Sequence, residues 1–179
     1  NYLFEQAYIN SYNGKDWAGL KKIRRRGKVL KQLQDSLAKR DKIILYALAT
    51  GKPSYYPEYL PNDEERDSTN TEYLVKDFEE RGVNHIYFAP WFLEMKDTLG
   101  GLLFPKYGVH WSHFSNVLVA DTLVKYIESK TGWDLPNVTI VDRNYSETTK
   151  YYDNDIANAM NLFKDLQPPP MAYPIIEWD

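Results

Sequence analysis

The chain has 179 residues, a formal charge of -3 and a pI near 5.7, with 43% hydrophobic and 26% charged residues. That mixture can bury a core, which excludes disordered and collagen-like classes, and its acidity argues against a general nucleic-acid surface. The absence of cysteine removes disulfide frameworks, thiolate metal sites and cysteine nucleophiles, and no apolar run nears the roughly 18 residues of a membrane span. The first residue is Asn1 rather than Met, so a processed leader or anchor is expected upstream.

Taken in chain order, Trp17, Leu20, Ile23, Val29, Leu30, Leu33 and Leu37 mark a helical stripe, with Asp16 as N-cap and an end near Arg40 and Asp41. Its run Lys21, Lys22, Ile23, Arg24, Arg25, Arg26 is ordinarily a solvated helix face; the functional alternative is a patch for phosphate or an anionic polymer. Residues 42–50, KIILYALAT, have strand length and empty into Gly51-Lys52-Pro53. The loop that follows, SYYPEYLPNDEERDST, is long for a connector, as functional loops often are. A second helix is predicted over 69–81, closed by Gly82, then a strand over 84–89 stopped by Pro90. The short helical stretch WFLEMKDTL leads into Gly100-Gly101.

The best-formed helix spans 112–130 on Phe114, Leu118, Ala120, Leu123, Val124 and Ile127, and ends at Gly132. Residues 138–141 read as a third strand. From 141 to 179 the chain reads as an irregular, Pro-rich tail with one helical pattern at 155–166; Pro168-Pro169-Pro170 forbids regular structure there. Alternating strands and helices predict an α/β layered domain with a largely parallel sheet, 1–179 forming a single domain. Ligand sites of such sheets gather at the carboxyl ends of the strands, which the loops 50–61 and 88–110 leave.

The segment PKYGVHWSHFS, 105–115, is the expected functional centre. His110 stands at the head of the helix beginning near Ser112, a position that suits an imidazole accepting a proton. Gly108 permits a sharp turn before it, and Trp111 can exclude water or stack on a sugar. A histidine there also serves commonly as a cap or packing residue. His110 and His113 are three apart, but no third ligand is evident, so no metal is expected. Lys52 could hold a carboxylate or orient a substrate oxygen. Ser54 lacks the glycine-flanked elbow of a nucleophilic serine.

The order and spacing of NYLFEQAYINSYNGKDW, LATGKPSYYPEYLP, LFPKYGVHWSHFS and DIANAMNLF resemble the SGNH-hydrolase-like proteins related to alginate O-acetyltransferases (the AlgX and AlgJ type and the DHHW proteins). The resemblance implies a three-layer α/β sandwich, placed in the periplasm or otherwise outside the cytoplasm, that acetylates exopolysaccharide or cleaves acetyl esters with a Ser-His-Asp arrangement. It assigns His110 as the catalytic histidine and Trp111 as the tryptophan beside it. Lys52, Ser54, Tyr55, Tyr56, Tyr107, Trp111 and Ser112 become candidate substrate contacts. It implies no cofactor, a polysaccharide substrate, and a membrane-bound O-acyltransferase as acetyl donor.

Two departures matter. The family's aspartate, two positions before the histidine, is Gly108 here, which leaves Glu58 or Asp97 as substitutes to consider. No Gly-Asp-Ser elbow occurs in the chain, so the nucleophile is expected downstream of Asp179. The rival expectation is a non-catalytic module that keeps the fold and binds glycan or protein.

Overall fold

The computed structural model describes residues 2–60, 66–99, 102–164 and 166–179. The Gly100-Gly101 pair and the acidic part of the long loop, 61–65, lie outside these. Contacts divide the chain into two compact units, Glu5–Glu94, and Asn1–Phe4 with Met95–Asp179.

The first unit begins with helices α1 (Gln6–Tyr12) and α2 (Leu20–Ala38), then strand β1 (Tyr46–Leu48) and the single turn α3 (Lys52–Tyr55), followed by a 3-10 turn at Pro57–Tyr59. Helix α4 (Asn70–Arg81), strand β2 (His85–Tyr87) and helix α5 (Phe88–Glu94) complete it. The start of α4 is written in its sequence. Thr69 Oγ1 accepts the Glu72 N–H at 3.3 Å while Glu72 Oε2 accepts the Thr69 N–H at 3.2 Å, so two otherwise orphaned donors are satisfied. Gly82 ends the helix at φ 65°, the left-handed conformation that glycine adopts without a Cβ penalty.

β1 and β2 pair in parallel, with Tyr46 opposite His85 and Leu48 opposite Tyr87. Helices α2 and α4 pack closely because position 27 has no side chain: a Cβ there would lie 1.7 Å from Asp77 Oδ2. Buried Asp77 keeps its charge partnered through Arg81 Nε at 2.7 Å. Gln34 fixes the same junction, donating to the Gly82 carbonyl at 3.0 Å and accepting the Asn84 N–H at 2.7 Å. The expected cap Asp16 is not the N-cap of α2, a place taken by Gly19; its Oδ1 instead accepts Asn70 Nδ2 at 3.1 Å.

The second unit holds α6 (Lys96–Leu99), α7 (His113–Thr131), β3 (Val138–Ser146), α8 (Asp155–Ala159) and β4 (Met171–Trp178). Ser112 caps α7 by accepting the Ser115 N–H at 3.1 Å, and Gly132 closes it at φ 69°. The tail expected to be irregular contains the longest strand pair among the described residues. β3 and β4 run antiparallel from Val138 opposite Trp178 to Ser146 opposite Met171, with a bulge between Ile140 and Asp142. Pro174 sits inside β4 opposite Arg143; a two-stranded sheet has only edges, the one setting in which a strand tolerates a proline. The helical pattern expected over 155–166 is regular only to Ala159.

The class is therefore mixed α/β. Among the described residues eight α-helices accompany two small sheets, one parallel pair and one antiparallel pair.

Candidate functional site

Everything at the site described next belongs to the second unit. The turn 107–110 is stitched to the start of α8. The Ala157 N–H donates to the Tyr107 carbonyl at 3.2 Å, and the Val109 N–H donates to Asp155 Oδ1 at 2.8 Å. The same Oδ1 accepts the Ile156 N–H at 2.8 Å. The other oxygen, Oδ2, lies 2.7 Å from His110 Nδ1. Three nitrogens converging on one carboxylate hold it in a single orientation, as a positioning group requires.

A carboxylate can only accept, so Nδ1 carries the shared proton and the neutral ring presents Nε2 as its basic nitrogen. This is the tautomer in which a histidine can take a proton from a hydroxyl nucleophile. The His110 side chain is 60% exposed and that of Asp155 22%, so the imidazole faces solvent while its anchor is sheltered. The orienting carboxylate is thus Asp155, and neither Glu58 nor Asp97, the two considered from the sequence.

Gly108 explains why the carboxylate comes from so far away. A Cβ at that position would meet Pro105 Cγ at 2.7 Å and the Asp153 carbonyl oxygen at 3.0 Å. The space a Cβ would use is filled by the Pro105 ring and the Asp153 backbone, two residues before the Asp155 that delivers the carboxylate.

His110 opens onto a cleft of about 310 Å³ lined also by Trp111, His113, Asn116, Tyr151 and Tyr152. The His113 and Tyr151 rings stack at 4.1 Å and 18°, and the Tyr152 ring lies 6.3 Å from that of His110. Tyr151 holds φ 56°, a left-handed conformation that costs an L-residue roughly 1–2 kcal/mol. Tyr151 and Tyr152 are nevertheless largely exposed. Beneath this wall Asp153 is buried: its Oδ1 accepts the His113 N–H at 3.3 Å, and the Tyr173 hydroxyl, which accepts the Lys150 N–H at 2.7 Å, lies close enough to favour its charged form. Burial pushes the Asp153 carboxyl above its ordinary range, against the opposing pull of those two groups. Burial also pushes the Tyr173 hydroxyl up to about 12.

The other sequence candidates fall in different places. Trp111 lines the cleft; Tyr107 is half-buried and contributes its carbonyl to the α8 junction. Ser112 is fully buried, and its hydroxyl is engaged with the Leu102 carbonyl and the Ser115 N–H, so it is spent on the helix cap rather than on a groove. Lys52, Tyr55 and Tyr56, expected along a sugar groove, have buried side chains in the first unit, where the Tyr55 and Tyr56 rings meet edge to face at 4.5 Å. Ser54 borders a separate cleft of about 200 Å³ in that unit, with Tyr8, Ser11, Thr50, Arg66 and Tyr87 among its neighbours.

Asp155, Asn116, Tyr151 and Tyr152 are the site residues that sequence reasoning missed. Asp155 stands 45 positions from His110, and the available signal was only that DIANAMNLF recurs in the resemblance.

No family model matches the chain, and no curated protein matches it. Among solved structures it is similar to the O-acetyltransferase domain of Pseudomonas putida AlgJ, at a TM-score of 0.61 and 15% identity. The match covers 94% of this chain and 61% of that one, so the chain spans less than two thirds of the neighbour's length. The likeness establishes the fold.

Proposed function

We propose that this chain is the histidine-bearing part of an SGNH-type O-acetyltransferase or acetylesterase acting on a polysaccharide outside the cytoplasm. The observation that carries the reading is the 2.7 Å contact between Asp155 and His110 Nδ1, at an open cleft, in a fold similar to an O-acetyltransferase domain. His110 Nε2 removes the proton of a serine hydroxyl, whose oxygen attacks the acetyl carbonyl; the tetrahedral oxyanion is met by backbone N–H donors. As the intermediate collapses, the imidazolium returns the proton to the departing alcohol, and Asp155 stabilises the cation meanwhile. The aromatic wall of Trp111, Tyr151 and Tyr152 supplies flat faces for sugar rings.

The 179 residues hold no Gly-Asp-Ser elbow, and our reading assigns the nucleophile to a further segment of the protein. The same segment would extend the small parallel pair toward the mainly parallel, three-layered sheet of SGNH proteins. A membrane-bound O-acyltransferase is the proposed acetyl donor. The absent serine is the one observation that favours the second reading, a glycan-binding module without turnover.

The test is hydrolysis of p-nitrophenyl acetate by the full-length protein. His110→Ala and Asp155→Ala are each expected to approach the roughly 10⁴-fold loss seen when a serine-protease triad loses its correct tautomer. Equal rates for all three proteins would reject the catalytic dyad and leave the binding module.

A further inference from the structure

We infer that the outward face of α2 is a docking surface for an anionic phospholipid bilayer. Helix α2 carries seven cations and one carboxylate, in a chain whose total formal charge is -3. Its 19 residues are therefore net positive by six, and the other 160 net negative by nine. Lys31 is neutralised by Asp35. Lys21, Lys22, Arg24, Arg25, Arg26 and Lys28 are all exposed, and among the described residues none has an ion-pair partner. A helix face bearing only solubilising charge commonly intersperses both signs; this one leaves six cations uncompensated over two turns.

The geometry of the helix sets their direction. Ile23 and Gly27 are buried toward α4, and at 100° per residue Lys21, Arg25 and Lys28 form a row on the opposite side. Lys22, Arg26, Val29 and Leu33 follow at i, i+4, i+7 and i+11 along one flank. Val29 is 55% and Leu33 44% exposed, so two solvated aliphatic side chains continue the stripe that two cations begin.

That combination selects among anionic partners. A soluble polyanion would use the cations and gain nothing from Val29 and Leu33. A bilayer meets the helix at one tangent plane, takes the cations at its headgroups and accepts the aliphatic pair at the acyl boundary. Among the described residues no helix is long and apolar enough to cross a membrane, and the contact inferred is peripheral.

The test is co-sedimentation of the full chain with vesicles of phosphatidylcholine alone and of phosphatidylcholine mixed in equal parts with phosphatidylglycerol. Binding is expected only to the mixed vesicles and should weaken with added salt. The triple variant Lys21→Glu, Arg25→Glu, Lys28→Glu should bind more than about a hundredfold more weakly, since loss of each basic residue at an anionic surface costs about a factor of five and the new carboxylates add repulsion. Val29→Ser with Leu33→Ser should bind several-fold more weakly at unchanged charge. Thermal melts of both variants show whether each is folded, and a salt titration of the wild type reads the same surface without substitution. Equal binding to both vesicles, or no loss in the folded triple variant, would overturn the inference. So would dextran sulfate binding as tight as vesicle binding and indifferent to the Val29 and Leu33 changes, which would assign the face to a polyanion.

Discussion

Asp153 and Asp155 are two carboxylates two residues apart with opposite duties. Asp155 is anchored by three nitrogens and holds the imidazole that lines the cleft, whereas Asp153 is buried with its ionised form disfavoured. Since the folded value of Asp153 lies above its unfolded value, its contribution to stability is complete below the unfolded value, near pH 4, and is lost as pH rises through the folded one. Asp153→Asn cannot ionise. Its melting temperature relative to the wild type should therefore climb as pH goes from acid to neutral; a constant difference would contradict the buried-acid reading. Gly108 yields a second expectation. Gly108→Asp introduces the aspartate that the resemblance would place there, but its Cβ collides with Pro105 and the Asp153 backbone. It should destabilise the fold by about 1–3 kcal/mol in urea melts, as overpacking does, and should not rescue Asp155→Ala in the esterase assay. His110 was legible in the sequence because a local motif carries it. Asp155 was not, because a contact across 45 residues leaves no trace in spacing.

At the level of elements, the signals that proved readable were those whose physics is local. Thr69, Glu72 and Gly82 bracket α4, and Ser112 and Gly132 bracket α7, through caps that span a few residues. β4 was hidden by Pro174 and by the three prolines before it, and its pairing with β3 is decided by tertiary contact. The fit of α2 on α4 was equally hidden, since nothing in a sequence says that Gly27 faces a carboxylate. Gly27→Ala gains about 1 kcal/mol of helix propensity. It also drives a methyl group into Asp77 and disturbs the buried ion pair with Arg81, a packing cost of about 1–3 kcal/mol. Net destabilisation is expected, read as a lower urea midpoint at unchanged slope; a raised midpoint would show that Asp77 yields freely.

Over the whole molecule the charge is as unevenly spread as the chemistry. A chain with a pI near 5.7 should pass through a cation exchanger at neutral pH, yet the α2 face should retard it, and the Lys21, Arg25, Lys28 charge reversal should abolish that retardation. Identical elution of the two proteins would place the cations out of reach of the resin. Mixed α/β class was legible from the alternation of elements, but the size of the sheets was not, because strand partners are chosen in three dimensions. The same principle gives the Gly108 substitution its largest meaning. A histidine oriented by a neighbour two residues away keeps its aim even in a loosened chain. Here the aim depends on α8 staying docked on the 107–110 turn, so the esterase activity proposed for His110 should report the integrity of that junction. A molecule wedged between Tyr107 and Ala157 would misalign the imidazole without touching it, and under the proposed function would act as a non-competitive inhibitor, a mode that a contiguous motif could not offer.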